Sequence, residues 1–242
     1  MSALREARSV VVLTGAGVSA ESGIPTFRDA MDGLWAKFDP HELASPEGFA
    51  RDPETVTRWY DWRRAKCRAA KPNAAHLALA RLEEHLAAEV RAFTLLTQNV
   101  DRLHQAAGSR NVVELHGTIW VWRCTRCGIE REERGGPFTD HPPRCACGGA
   151  RRPSVVWFGE MLPEDAMQTA GDALEACDLF FSIGTSAVVE PAASFIHHAR
   201  RHGAKTVEIN RERTPITPVV DWSLLGKAGE ILPEVVRRTF GI

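Results

Sequence analysis

The apolar run Val10-Val11-Val12-Leu13 passes directly into Gly15-Ala16-Gly17-Val18-Ser19-Ala20, and that junction restricts the chain more than any other segment. Consecutive apolar residues of this kind suit a short strand buried on both faces, as in a parallel sheet. Gly15, Gly17 and Ala20 give a turn whose backbone can approach a phosphate pair and aim amide N–H groups at it. Many strand-to-helix turns hold two glycines, so the spacing alone says little. The stretch that follows, Ser22-Gly23-Ile24-Pro25-Thr26-Phe27-Arg28, is too rich in Gly and Pro for a helix. A dinucleotide-type turn followed at once by a long polar loop predicts a ligand gripped at both ends.

Further β-rich runs lie at Phe93–Thr97, Val112–Leu115, Leu179–Ile183, Thr206–Ile209 and Val219–Leu224. Helical patterns separate them. Asn73 is placed to cap a helix to Glu89 with Ala75, Leu79, Leu82 and Leu86 on one face. Pro163 begins a helix over 165–176, and Pro191 begins another ending near Gly203. Strands alternating with helices predict an α/β fold, a Rossmann-like parallel sheet with helices on both faces and ligands beyond the carboxyl ends of its strands. Two stretches break the rhythm. Residues 31–71 hold no strand pattern but hold a helix from Pro53 to Ala69 capped by Asp52, and 118–153 are rich in Cys, Gly, Pro and Arg. We expect both as insertions that pack together as a small domain, a helical module and a zinc ribbon, with 1–30, 72–117 and 154–242 forming the large one.

The 242 residues carry a net charge of −1, which gives no general attraction to nucleic acid or anionic lipid. No run of about 18 apolar residues would span a membrane. The opening residues lead into too short an apolar run for a secretory signal, so a cytoplasmic protein is expected. Without a heptad pattern or a large apolar stripe, the expected state is a monomer. In a reducing compartment, clustered cysteines point to metal. Cys124 and Cys127 with Cys145 and Cys147 have a spacing that suits one tetrahedral zinc. The C-x-C second pair is tighter than usual, which keeps His141 as an alternative fourth ligand. Four protein ligands leave no open position, so the metal is expected to be structural.

Thr97-Gln98-Asn99-Val100-Asp101 ends a strand with side chains suited to a ribose or carboxamide, and equally to helix capping. His116, followed by Gly117, ends the next strand. An imidazole titrating near neutrality there is a candidate general base, and the alternative is a satisfied core histidine. Gly184-Thr185-Ser186 and Asn210 end two more strands, where ordinary turn chemistry is the competing reading.

In this order GAGVSAESGIPTFR, TQNVD, the HG at 116–117, the cysteine pairs, VWFGE at 156–160 and GTS at 184–186 resemble the sirtuins, NAD-dependent protein-lysine deacylases, over nearly the whole chain. Two departures are Thr26, where many members have Asp, and Asp29, where Gly is frequent. The resemblance implies NAD consumed as co-substrate in the crevice between the two domains. It assigns Gly15, Ala16, Gly17, Glu21, Thr26, Phe27, Arg28 and Trp35 to the cofactor loop, and Gln98, Asn99 and Asp101 to the nicotinamide ribose and carboxamide. Gly184, Thr185, Ser186, Asn210, Arg211, Glu212 and Ala228 fall to the adenosine end, and His116 becomes the base. Val156, Phe158, Gly159 and Glu160 would pair with an extended acyl-lysine peptide, with 188–190 on its other side. The products implied are free lysine, nicotinamide and O-acyl-ADP-ribose.

Tyr60 and Arg63 are helical neighbours able to meet one carboxylate through a phenol and a guanidinium; on spacing alone they serve as well to cover a core. The Y-x-x-R is similar to that of sirtuins removing succinyl, malonyl or glutaryl groups, and Ala44 resembles the small residue that widens their acyl pocket. The expected activity is removal of succinyl and malonyl groups, with acetyl also accepted. Three rivals make different products. A mono-ADP-ribosyltransferase leaves ADP-ribose on protein, a dehydrogenase forms NADH, and a zinc-bearing binding module releases no nicotinamide.

Overall fold

The computed structural model describes residues 1–26 and 39–242. Among them, six strands form one parallel sheet: β1 (Ser9–Thr14), β2 (Ala92–Thr97), β3 (Val112–Glu114), then, after an insertion, β7 (Leu179–Ile183), β8 (Lys205–Asn210) and β9 (Trp222–Leu225). The insertion supplies an antiparallel sheet of β4 (Gly117–Cys124), β5 (Glu130–Glu132) and β6 (Arg151–Val155) in the order β5-β4-β6. The large sheet runs β3-β2-β1-β7-β8-β9, so the strand order reverses between β1 and β7. That is the doubly wound arrangement, and the crevice beyond β1 and β7 is its ligand position.

The helices are α1 (Ser2–Glu6), α2 (Ala16–Ala20), α3 (Pro40–Leu43), α4 (Pro46–Arg51), α5 (Pro53–Ala69), α6 (Ala74–Ala88), α7 (Leu103–Ala106), α8 (Glu164–Ala176), α9 (Phe195–Arg201) and α10 (Ala228–Phe240). Side chains alternate across a strand, so β1 sends Val10 and Val12 into one core and Val11 and Leu13 into another. α6 and α10 close the first through Leu79, Leu82, Leu86, Leu232 and Val236, while α8 and α9 close the second through Leu174 and Ile196. The apolar face read from the sequence of α6 is the face buried.

A third core joins the two insertions. Val56, Trp59, Tyr60 and Cys67 of α5 pack with Ile119, Trp120 and Trp122 of β4 and with Trp157. Within it Arg64 is fully buried, paired with Asp61 at 2.8 Å and donating to the Glu133 carbonyl at 2.7 Å. Asp61 also accepts from the Phe138 amide at 2.9 Å, which ties the helix to the cysteine-bearing loop.

Two elements differ from expectation. The sequence predicts a strand from Val219, but β9 begins at Trp222, because Val219 and Val220 turn inward onto the second core. The helix expected from Pro191 opens as a 3₁₀ turn over Ala192–Ser194 before α9. No helix among the described residues is long and apolar enough to cross a membrane.

Candidate active site

At the switch point, backbone meets backbone. Gly17 donates its N–H to the Gly184 carbonyl at 2.8 Å, and Gly15 to that of Ile183 at 3.0 Å. A Cβ on Gly17 would lie 2.7 Å from the Gly184 oxygen, and one on Gly184, whose φ is +60°, would lie 2.5 Å from the Val18 nitrogen. The spacing of Gly15 and Gly17 reads as an approach to a phosphate pair. In the fold Gly15 and Gly17 also let the β1 and β7 turns touch, and the amides of Gly15, Gly17 and Val18 are all bonded inside it. Ala16 is left as the amide of this turn with no protein acceptor among the described residues.

The polar run after β2 folds over this turn. Asn99 Nδ2 donates to the Gly15 carbonyl at 3.0 Å and to Ser19 Oγ at 3.2 Å, and Gln98 Nε2 reaches Thr185 Oγ1 at 3.1 Å. Of the two uses that the sequence left open, Asp101 shows the capping one. Its Oδ1 accepts the Leu103 amide at the start of α7, and its Oδ2 accepts Ser19 Oγ, each at 2.8 Å. Burial raises the Asp101 carboxyl above its usual range, opposed by those two bonds. Beneath them lies a polar cluster that sequence reasoning missed. Thr14 Oγ1 bonds Thr97 Oγ1 at 2.9 Å and His104 Nε2 at 3.0 Å, and the His104 and His76 ring centres lie 4.7 Å apart with their planes tilted by 55°. Burial pushes His76 down to about 4 and His104 to about 3, so both are neutral near pH 7. The legible signal was His76 at N3 behind Asn73, where its ring closes a capping box.

His116 sits between β3 and β4, half-buried. Its Nδ1 lies 3.1 Å from the Gln98 carbonyl. A carbonyl only accepts, so Nδ1 carries the proton and Nε2 keeps a lone pair for an incoming proton. Burial lowers this imidazole's pKa, against the bond to Gln98. Gly117, at φ +68°, makes the turn possible, since a Cβ there would fall 2.1 Å from the Ser154 oxygen.

The 156–160 segment forms the next wall. Val156 donates to the His116 carbonyl at 3.0 Å, and Phe158 donates to that of Ala44 at 2.9 Å. The Trp157 amide donates to Glu160 Oε2 at 2.9 Å. These three N–H groups are therefore closed to a pairing peptide. Glu160 is committed to the loop itself, since Arg152 grips both its oxygens at 2.6 and 2.9 Å. Phe158, stacked 4.6 Å from His41, and Gly159 remain exposed, as do Val188 and Val189.

Tyr60 is buried, and its hydroxyl accepts from Trp157 Nε1 at 2.8 Å. Burial, opposed by the nearby Arg63 charge, pushes this phenol up to about 12. The Arg63 guanidinium lies 4.9 Å from the centre of the Trp59 ring, and its charge also acts on Asp101. Ala44 is buried in the same core. At the far end of the crevice, Asn210 Nδ2 donates to the Thr185 carbonyl at 2.9 Å, while Ser186, Arg211 and Glu212 are exposed. Ala228 is buried beneath, in the first core. Glu21 Oε1 accepts the Gly229 amide at 3.0 Å, at the start of α10. Thr26 is half-buried, and Phe27, Arg28 and Trp35 lie outside the described residues.

The Cys124, Cys127, Cys145 and Cys147 sulfurs lie within 4.8 Å of one another, with pairs at 3.5 and 3.7 Å. Tetrahedral Zn–S bonds of about 2.3 Å place sulfurs about 3.8 Å apart, so the four fit one structural zinc. His141, the alternative ligand, lies instead with its Nε2 3.3 Å from Asp61. Glu175, His198 and His202 form another cluster of ligand-type side chains. The Arg201 guanidinium, 3.4 Å from His198, already brings a cation there.

Reversal of strand order beside carboxamides, hydroxyls and one available imidazole lone pair marks a dinucleotide-binding α/β protein, and the class follows from topology and site together. Residues 15–191 match the Sir2 family. An NAD-dependent protein deacylase of Aquifex aeolicus is 51% identical over 237 residues, covering 96% of this chain and 97% of the relative. A solved Sir2 homologue in complex with NAD shares 50% identity at a TM-score of 0.92, covering 98% of this chain and 91% of that one. A Sir2 bound to an acetylated peptide shares 33% identity at 0.86, covering 98% and 95%. The chain belongs to the Sir2 family.

Proposed function

We propose that the chain is an NAD-dependent protein-lysine deacylase whose acyl pocket favours dicarboxylic groups, succinyl and malonyl, and also accepts acetyl. Similarity to a deacylase, to an NAD complex and to an acetyl-peptide complex supports the reaction class. The observation that carries the acyl preference is the Tyr60 hydroxyl. It is buried, stays protonated, accepts from Trp157, and among the described residues has no acceptor for its own proton. A phenol O–H beside a guanidinium suits a carboxylate, while an acetyl group leaves that donor unused.

The residues divide the work. Gln98 and Asn99 offer polar atoms beside the β1 turn for the ribose and carboxamide, and Thr185 lies toward the adenosine end. When bound, NAD supplies a sugar carbon that becomes electrophilic as its bond to nicotinamide breaks. His116 Nε2, with Nδ1 held by Gln98, accepts a proton from a hydroxyl brought to it and so makes that oxygen nucleophilic. Val156 and Phe158 have their N–H groups engaged, so a peptide along this wall donates to carbonyls instead. Burial of the reacting groups excludes water, and holding acyl oxygen and sugar together contributes roughly 7–11 kcal/mol toward the barrier.

The test is NAD-dependent turnover of succinyl-lysine and acetyl-lysine forms of one peptide by wild type and Arg63→Met. Removing a charged hydrogen bond from a dry pocket is expected to lower the succinyl/acetyl ratio by about 2–4 kcal/mol, tens-fold or more. A mutant that keeps the wild-type ratio overturns the carboxylate reading.

A further inference from the structure

We propose that Trp157, clamped by Arg152 and Glu160, is a positioning residue that aims the Tyr60 hydroxyl as a donor into the acyl pocket and thereby sets acyl preference. The inference rests on the dicarboxylic reading above and adds what makes Tyr60 selective.

The clamp is built from buried parts. Arg152 is 6% exposed, and its guanidinium carbon sits 3.2 Å from the centre of the Trp157 ring. A cation this close to an indole face, desolvated, fixes the ring plane. Arg152 Nη1 and Nη2 hold Glu160 Oε1 and Oε2 at 2.6 and 2.9 Å, and Nη2 also donates to the Val155 carbonyl at 2.8 Å. Glu160 Oε2 in turn accepts the Trp157 backbone N–H at 2.9 Å, while the Glu160 amide donates to the Trp157 carbonyl at 3.0 Å. Ring face and backbone of Trp157 are thus both held by one ion pair. The remaining polar atom, Nε1–H, donates to Tyr60 Oη at 2.8 Å.

That last bond decides which way Tyr60 faces. A phenol O–H lies near its ring plane, because an oxygen lone pair conjugates with the ring, so its hydrogen has two resting positions. The indole and phenol ring centres are 6.1 Å apart, with the planes tilted by 33°, so the indole reaches the oxygen and not the phenol face. An N–H arriving on one side of the oxygen leaves the hydrogen on the other. Nothing among the described residues accepts it there. Among the described residues the hydroxyl is therefore an oriented donor with no acceptor, and the ligand that satisfies it is an acyl chain ending in an acceptor.

Trp157→Phe keeps an aromatic ring under Arg152 and deletes the N–H donor together with part of the ring volume, a loss of packing that both substrates share. We expect the succinyl/acetyl ratio of kcat/KM to fall about fivefold or more, the loss appearing in the succinyl KM. A general loosening of the segment would lower both substrates together and leave the ratio unchanged. In a double-mutant cycle, adding Tyr60→Phe to Trp157→Phe should lower the ratio no further. Should Trp157→Phe fail to fold, Arg152→Lys, which keeps the charge but loses the two-pronged grip on Glu160, is read by the same ratio and should lower it. An unchanged ratio in a folded variant, or independent losses in the double variant, overturns the proposal. Arg63→Met in the same panel separates the failures. If it loses the preference while Trp157→Phe keeps it, the carboxylate reading stands and the positioning role falls; if Arg63→Met keeps it, the reading itself falls.

Discussion

In the proposed reaction His116 is the residue on which the chemistry turns, and its environment fixes a pH signature. Burial lowers its pKa from the ordinary value of about 6.5. The neutral form, which accepts the proton, dominates above that pKa. Turnover should therefore be flat through neutrality and fall only as the pH drops below about 6.5, with slope one. His116→Ala should lower kcat/KM by about 10²–10⁴-fold and leave no such limb; a mutant retaining the acid limb would assign it to another group. The place of His116 after β3 was legible because a His-Gly pair at a strand's end stands out. Glu21 and Glu160 show what was not legible. Both occur within the motifs that carry the resemblance, yet the Glu21 carboxylate is taken by a helix amide distant in the chain and that of Glu160 by Arg152, eight residues before it and outside the motif. A motif places a residue near a site without telling which neighbour claims its side chain.

Among the elements, those with local signals could be read from the sequence. α5 runs over the predicted residues because Asp52 accepts the Thr55 amide at 3.0 Å and Pro53 opens the first turn. α6 begins where Asn73 accepts the Ala75 amide at 2.9 Å. The same side chain donates to the Val18 carbonyl and to Ser22 Oγ, tying α6 to the end of α2. Asn73→Ala should therefore cost about 1–2 kcal/mol, more than an ordinary cap, and lower Tm by a few degrees in a thermal melt. A change within error would show the cap to be solvent-compensated. Boundaries set by tertiary packing escaped, as at Val219 and Val220, whose β-rich composition yields to the pull of the second core. The small α3 and α4 helices also lacked a periodic pattern long enough to read.

At the scale of the whole molecule, the strand alternation disclosed the parallel sheet, but β2 follows β1 only after the helical insertion, so pairing order came from the structure alone. Two features make global stability testable. Four cysteines from two hairpins close around one metal position, so metal analysis should find one zinc per chain. Cys145→Ser should then lower both zinc content and Tm, whereas an unchanged metal content would return the clip to free thiols. His76 and His104 are held neutral in the fold at about 4 and about 3 but titrate near 6.5 when unfolded. Between those values the unfolded chain binds more protons, so stability is complete above about 6.5 and is lost as pH falls, by about 1.4 kcal/mol per pH unit for each histidine. Chemical denaturation at several pH values should show that slope flatten in a His76→Gln variant.

The central claim is that the crevice couples cleavage of the dinucleotide to transfer of an acyl group from lysine. The most direct measurement is product stoichiometry by mass spectrometry, with an acyl-lysine peptide and NAD incubated with the purified enzyme. The account predicts one nicotinamide, one O-acyl-ADP-ribose and one free lysine for each turnover, and none of the three without NAD. Deacylation that proceeds without NAD, formation of NADH, or ADP-ribose left on the peptide with its acyl group intact would contradict it.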